Sequence, residues 1–104
     1  MAVSSQTFAY NNQMDRSTVM AVISTIKGAW YDQNTLVAVI DANYINNCEV
    51  LTGFDFVGGS NSGSGYFRIQ EANGMRDIKI SWQLRTPNER AYIKLDNGIK
   101  LYRK

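Results

Sequence analysis

Histidine is absent from this chain, and cysteine and proline occur once each, as Cys48 and Pro87. A lone cysteine can form neither an internal disulfide nor a Cys/His metal site. Without histidine, a serine or cysteine nucleophile lacks its commonest base. The nine acidic residues are scattered, with no close pair to divide general acid and base roles. Charged residues make up only 19% against 44% hydrophobic, a balance that favours a packed core over disorder. The longest apolar run, Leu36-Val37-Ala38-Val39-Ile40, falls far short of the roughly 18–20 residues of a membrane-spanning helix. These absences point away from catalysis, cofactors, metals and membrane spans. They point towards binding.

What is present suits one domain in 104 residues. Its net charge of +2 conceals an asymmetry. Residues 1–74 hold three basic side chains against six acidic ones (−3), and residues 75–104 hold eight against three (+5). A basic C-terminal part steers acidic partners or makes a solvated sheet face. Residues 1–9 read either as the tail of a secretory signal peptide, with Thr7 and Ala9 flanking an A-x-A-like cleavage site, or as a disordered N-terminus. The first alternative has the mature chain begin near Tyr10 and makes it secreted or places it in the periplasm or cell envelope, leaving residues 10–104 as the domain.

The spacing of Val19, Val22, Ile23 and Ile26 at i, i+3, i+4 and i+7 predicts an amphipathic helix over about 15–27. Asp15 or Ser17 caps its start, and Lys27 and Gly28 suit its end. The period then changes to two. Strands are expected over 29–32, 35–41 and 43–51, the last with Tyr44 and Cys48 on one face and Ile45, Glu49 and Leu51 on the other. Cys48 reads as a small buried hydrophobe. Phe54 and Phe56 belong to a further short piece. The tract Gly58–Gly65 has no apolar residue and reads as a mobile connection. Beyond it, Phe67 and Ile69, then Ile78, Ile80, Trp82 and Leu84, then Ala91, Ile93 and Leu95, and finally Ile99 and Leu101 form the inward sets of a meander. Asp96-Asn97-Gly98 makes a tight hairpin between the last two. One helix followed by about seven short strands predicts a mostly β fold, a small antiparallel barrel with the N-terminal helix at one open end.

Lys27-Gly28-Ala29-Trp30-Tyr31 resembles the Gly-x-Trp-[Tyr/Phe] signature of lipocalins and the wider calycin barrels. The resemblance implies a lipocalin-like β-barrel in which a basic side chain of the last strand packs across the tryptophan. Arg103 has the strand parity for that role, and Gly28, Trp30, Tyr31 and Arg103 form the structural signature. The layout is also similar to the staphostatins, bacterial cysteine-protease inhibitors of comparable length that insert a glycine-containing loop into the protease cleft. That similarity implies an inhibitory loop at Asn97, Gly98 and Ile99, and it implies a cytoplasmic site of action, against the signal-tail reading.

Outward-facing Lys79, Arg90, Tyr92, Lys94, Lys100 and Tyr102 interleave basic and aromatic groups and form the candidate binding surface. Single-stranded nucleic acid is disfavoured, because the net charge is small and the helix precedes the strands instead of interrupting them. The sequence therefore points to an extracytoplasmic binding domain for a protein partner, with an inhibitor as one form of it. The alternatives are a carrier of a small apolar ligand in the barrel and a binder of anionic polymers through the C-terminal strands.

Overall fold

A computed structural model describes residues 15–85, 87–96 and 98–103. The expectation for residues 1–9 and that for Asn97 lie outside the described residues. The chain opens with helix α1 (Arg16–Thr25), followed by β1 (Gly28–Asp32), β2 (Thr35–Asp41), β3 (Tyr44–Ile45), β4 (Cys48–Gly58), β5 (Ser62–Glu71), β6 (Gly74–Gln83), β7 (Tyr92–Leu95) and β8 (Leu101–Arg103). Each strand pairs antiparallel with the next, and β1 pairs with β8, so the sheet closes into a barrel. No helix among the described residues is long and apolar enough to cross a membrane.

The helix forms where its apolar stripe predicts, one or two residues shorter at each end. Asp15 is the N-cap, its side chain accepting the Thr18 N–H at 3.0 Å, and Ser17 donates to the same carboxylate instead of capping. Val19, Ile23 and Ile26 are buried against the barrel, and Val22 is half-buried. Arg16 ties the first turn to β4 by donating to the Val50 carbonyl at 3.0 Å.

The mostly β barrel holds, but it has eight strands where about seven were expected. Residues 43–51 divide between two strands, and the second of them, β4, runs on through the separately expected Phe54–Phe56 piece. Asn46 and Asn47 adopt left-handed backbone conformations (φ 51° and 66°) and turn the chain between β3 and β4. The turn brings Ile45 opposite Cys48 and Tyr44 opposite Glu49, which corrects the expected grouping of Tyr44 with Cys48. The Asn46 amide also fills the irregular stretch of β2, accepting from the Val39 N–H at 2.8 Å and donating to the Val37 carbonyl at 3.4 Å.

The glycine–serine tract is likewise structured. Ser62–Gly65 belongs to β5, and only residues 59–61 turn. Phe56 explains the glycine at position 65. A bulge with Asp55 at φ 56° sets Asp55 and Phe56 against Gly65 alone and swings the Phe56 ring over it. Any Cβ at position 65 would collide with that ring. The glycine there makes room. A third correction concerns Ile99, expected to point inward and found 59% exposed. The Gly98 N–H closes a turn onto the Leu95 carbonyl at 2.9 Å, and β8 begins only at Leu101, so the segment between them is not strand.

Inside the barrel, Trp30, Ala38, Ile40, Ile45, Val50, Phe67, Ile69, Ile78, Ile80, Trp82, Ile93 and Leu101 are at most 4% exposed and belong to one hydrophobic core. Burying a large aliphatic or aromatic side chain contributes roughly 1.5–3 kcal/mol. A barrel of eight strands is just wide enough for side chains to fill it, and here they do.

Candidate functional site

Three of the four signature residues, Gly28, Trp30 and Arg103, meet at the end of the barrel where α1 gives way to β1. Trp30 is fully buried, and its indole N–H donates to the Ile26 carbonyl at 2.9 Å. Across the ladder from it stands Arg103. The guanidinium carbon lies 4.3 Å from the indole centroid, and Nη2 donates to the carbonyls of Thr25 (3.2 Å) and Lys27 (2.8 Å). These carbonyls belong to the exit from α1, where a helix leaves acceptors unpaired and carries partial negative charge. Gly28, at φ 139°, leaves the space: a Cβ there would stand 3.2 Å from Arg103 Nε. Burial pulls the Arg103 pKa below its ordinary value. Tyr31 takes no part in this stack; it lies half-buried on the outer face, opposite Tyr102.

Five of the six surface candidates come together on β7, β8 and the loops that precede each of them. The rings of Tyr92 and Tyr102, directly opposite in the ladder, lie 6.1 Å apart at 57°. Lys100 sits over Tyr92 at 4.6 Å, and Arg90 over Tyr102 at 5.0 Å. Arg90 also donates to the Arg103 carbonyl. Lys94 is next along β7, opposite Ser81. The sixth candidate, Lys79, is elsewhere. It lies 5.9 Å over Tyr66, which stacks on Phe54 at 5.3 Å beneath Arg68.

Glu89 is the site residue that sequence reasoning missed. Its carboxylate takes the Lys100 ammonium at 2.6 Å and the Tyr102 hydroxyl at 3.1 Å. The Lys100 contact is the largest cause holding the Glu89 pKa below the ordinary carboxylate value, and the same contact raises that of Lys100. Burial, then the bond to Glu89, raise the Tyr102 hydroxyl. No periodicity marks Glu89, because it sits in a loop whose position is set by the strands it joins.

Two depressions flank the tyrosine pair. One, of about 390 Å³, is lined by Ser62, Ser81, Trp82, Gln83, Tyr92 and Lys94. The other, of about 230 Å³, is lined by Tyr31, Gln33, Asn34, Arg90, Tyr102 and Arg103. A more apolar groove of about 530 Å³ runs between α1 and the β4–β5 turn, with Val22, Phe56, Val57 and Trp82 in its walls. The loop proposed for inhibition exposes both Gly98 and Ile99. Among the described residues, no three His, Cys, Asp or Glu side chains gather into a metal-holding group. Cys48 is a half-buried free thiol packed against the core.

Comparison of the chain with known proteins finds no matching family model, curated protein or solved structure.

Proposed function

We propose that this chain is a non-catalytic, extracytoplasmic domain that binds a protein partner through the outer surface of its C-terminal strands. The filled barrel carries the reading. Trp30, Phe67 and their neighbours occupy the interior among the described residues, which supports recognition on the outside over carriage of a ligand within. The outer cluster of Arg90, Tyr92, Lys94, Lys100 and Tyr102 contains two tyrosines, which anchor protein interfaces because they bury much area at little cost in side-chain freedom, and one arginine, a residue also enriched at interface hot spots. The lipocalin-like reading is supported by the stacking of Arg103 on Trp30, as a structural feature of the barrel end. The extracytoplasmic placement rests on the sequence of residues 1–9 alone.

The test separates partner from ligand. Protein purified from its native source and extracted with organic solvent should release no stoichiometric small molecule. Wild-type bait should retain a defined protein that Tyr92→Ser/Tyr102→Ser bait loses. A stoichiometric apolar molecule in the extract would establish the carrier function instead.

A second reading is inhibitory, favoured by the exposure of Ile99 (59%) beside Gly98 in the loop joining β7 and β8. Titration against papain-like cysteine proteases tests it. Tight inhibition abolished by Gly98→Arg supports this mode, and no inhibition of any such protease removes it.

A further inference from the structure

Cross-strand register places more in line than the β7–β8 cluster. Ser62 pairs with Gln83, Gln83 with Tyr92, Tyr92 with Tyr102, and Tyr102 with Tyr31. One row of outward side chains therefore crosses five strands, with three consecutive tyrosines at one end. At about 4.8 Å per strand gap the row is about 19 Å long. The two depressions lie along it, one on each side of the Tyr92–Tyr102 pair. We infer that this row is the docking track for an extended acidic segment of a partner protein, an inference that rests on the protein-binding reading above.

Charge complementarity selects the occupant. Lys100 is already held by Glu89, whose carboxylate also attracts Lys94 at longer range, but neither Arg90 nor Lys94 has a carboxylate within 4.0 Å among the described residues. They stand on opposite sides of the tyrosine pair, Arg90 in the smaller depression and Lys94 in the larger. An extended peptide rises about 3.3 Å per residue, so roughly six residues span the row and acidic side chains meet both cations. Single-stranded nucleic acid fits less well. Its bases need open ring faces, whereas Lys100 covers one face of Tyr92, Arg90 one face of Tyr102, and the two rings tilt against each other. The phenols and ring edges instead offer hydrogen bonds and apolar contact to a peptide backbone.

The experiment is fluorescence anisotropy of labelled decapeptides with the intact protein. The probes are alternating Glu/Gly, alternating Lys/Gly and alternating Ser/Gly sequences, with a dT decamer beside them. The Glu/Gly peptide should bind at low salt, at least 10-fold more tightly than the other three, and weaken as salt rises. Arg90→Ser/Lys94→Ser and the charge-neutral Tyr92→Ser/Tyr102→Ser should each weaken it at least 5-fold. Arg76→Ser, seven residues along β6 from Gln83 and so about 23 Å away at a strand's rise, should leave it within 2-fold. Equal loss in Arg76→Ser would mean unlocalised attraction and overturn the inference, as would tyrosine variants that bind like wild type. Stronger binding of the dT decamer would assign the row to nucleic acid. A domain that retains its partner but ignores the acidic peptide overturns this inference alone, whereas an extracted apolar ligand overturns the protein-binding reading.

Discussion

The guanidinium of Arg103 lies 4.3 Å from the indole centroid of Trp30 while its Nη2 donates to two carbonyls at the end of α1. One side chain thus joins the last strand, the first strand and the helix. Closing a barrel removes exposed strand edges, and among the described residues β1 and β8 are joined in register at Trp30–Arg103 and Tyr31–Tyr102. Arg103 reinforces that short seam. It also satisfies acceptors that would otherwise be left at a helix terminus packed against the barrel.

Replacing either partner should therefore reveal coupling. Trp30→Ala removes a fully buried aromatic and should cost about 3–5 kcal/mol in urea unfolding. Arg103→Ala should cost about 1–2 kcal/mol through the lost ring contact and the stranded carbonyls. The double variant should be less destabilised than the sum by about 0.5 kcal/mol or more. An additive cycle would show that the stack contributes nothing to the seam.

The pair was legible because the Gly28–Tyr31 motif resembles the calycin signature, which implies a basic side chain across the tryptophan, and strand parity with Leu101 selected Arg103 for it. Ile78, Ile80 and Trp82 were legible from their alternation, which fixes their faces wherever the strand goes. Features that depend on backbone irregularity were not legible. The turn at Asn46 and Asn47 inverts the facing of Cys48, and the bulge at Asp55 sends Phe56 over Gly65. In both places the irregular backbone shifts parity by one, so period-two reasoning carries the error forward. The tyrosine row needed the barrel's closure, since Tyr31 and Tyr102 are 71 residues apart in sequence yet directly opposed.

The Phe56–Gly65 relationship gives a sharp test of whether the tract is built for packing. Gly65→Ala places a methyl where the ring lies, and should cost about 1–3 kcal/mol in thermal or urea unfolding. The same alanine in a Phe56→Ala background should cost clearly less, since the obstruction is gone. A cost that is unchanged by removing the ring would point to backbone effects instead.

Acid should weaken the fold through its surface carboxylates. Bonding to Lys100, Arg68 and Thr18 holds Glu89, Asp77 and Asp15 respectively below their ordinary values of 4.5, 3.8 and 3.8. A carboxylate whose pKa is lower folded than unfolded contributes in full above its unfolded value, and that contribution fades as pH falls through its folded value. The Tm should therefore be flat with respect to these groups from pH 7 to about 5.5, then decline below about pH 4.5. Lys100→Met should flatten part of the decline, the part due to Glu89. A profile identical to wild type would show that the Glu89–Lys100 contact does not stabilise the folded state.

Charge reversal on the C-terminal strands should separate solvated lysines from the one held in place. Lys79 and Lys94 make no ion pair within 4.0 Å among the described residues, so Lys79→Glu and Lys94→Glu should each shift stability by no more than about 0.5 kcal/mol. Lys100→Glu should be the most destabilising of the three, because it sets a second carboxylate against Glu89, which lies 2.6 Å from the lysine it replaces. Two signatures identify repulsion as the cause. Added salt should narrow the gap between Lys100→Glu and wild type, since exposed charges are screened within a Debye length of about 10 Å at 0.1 M. Glu89→Gln in the Lys100→Glu background should restore most of the lost Tm, although the same change in the wild-type chain lowers it. If Glu89→Gln is destabilising in both backgrounds, repulsion from Glu89 is not the cause of the Lys100→Glu loss, and the lysine contact is incidental to the hairpin.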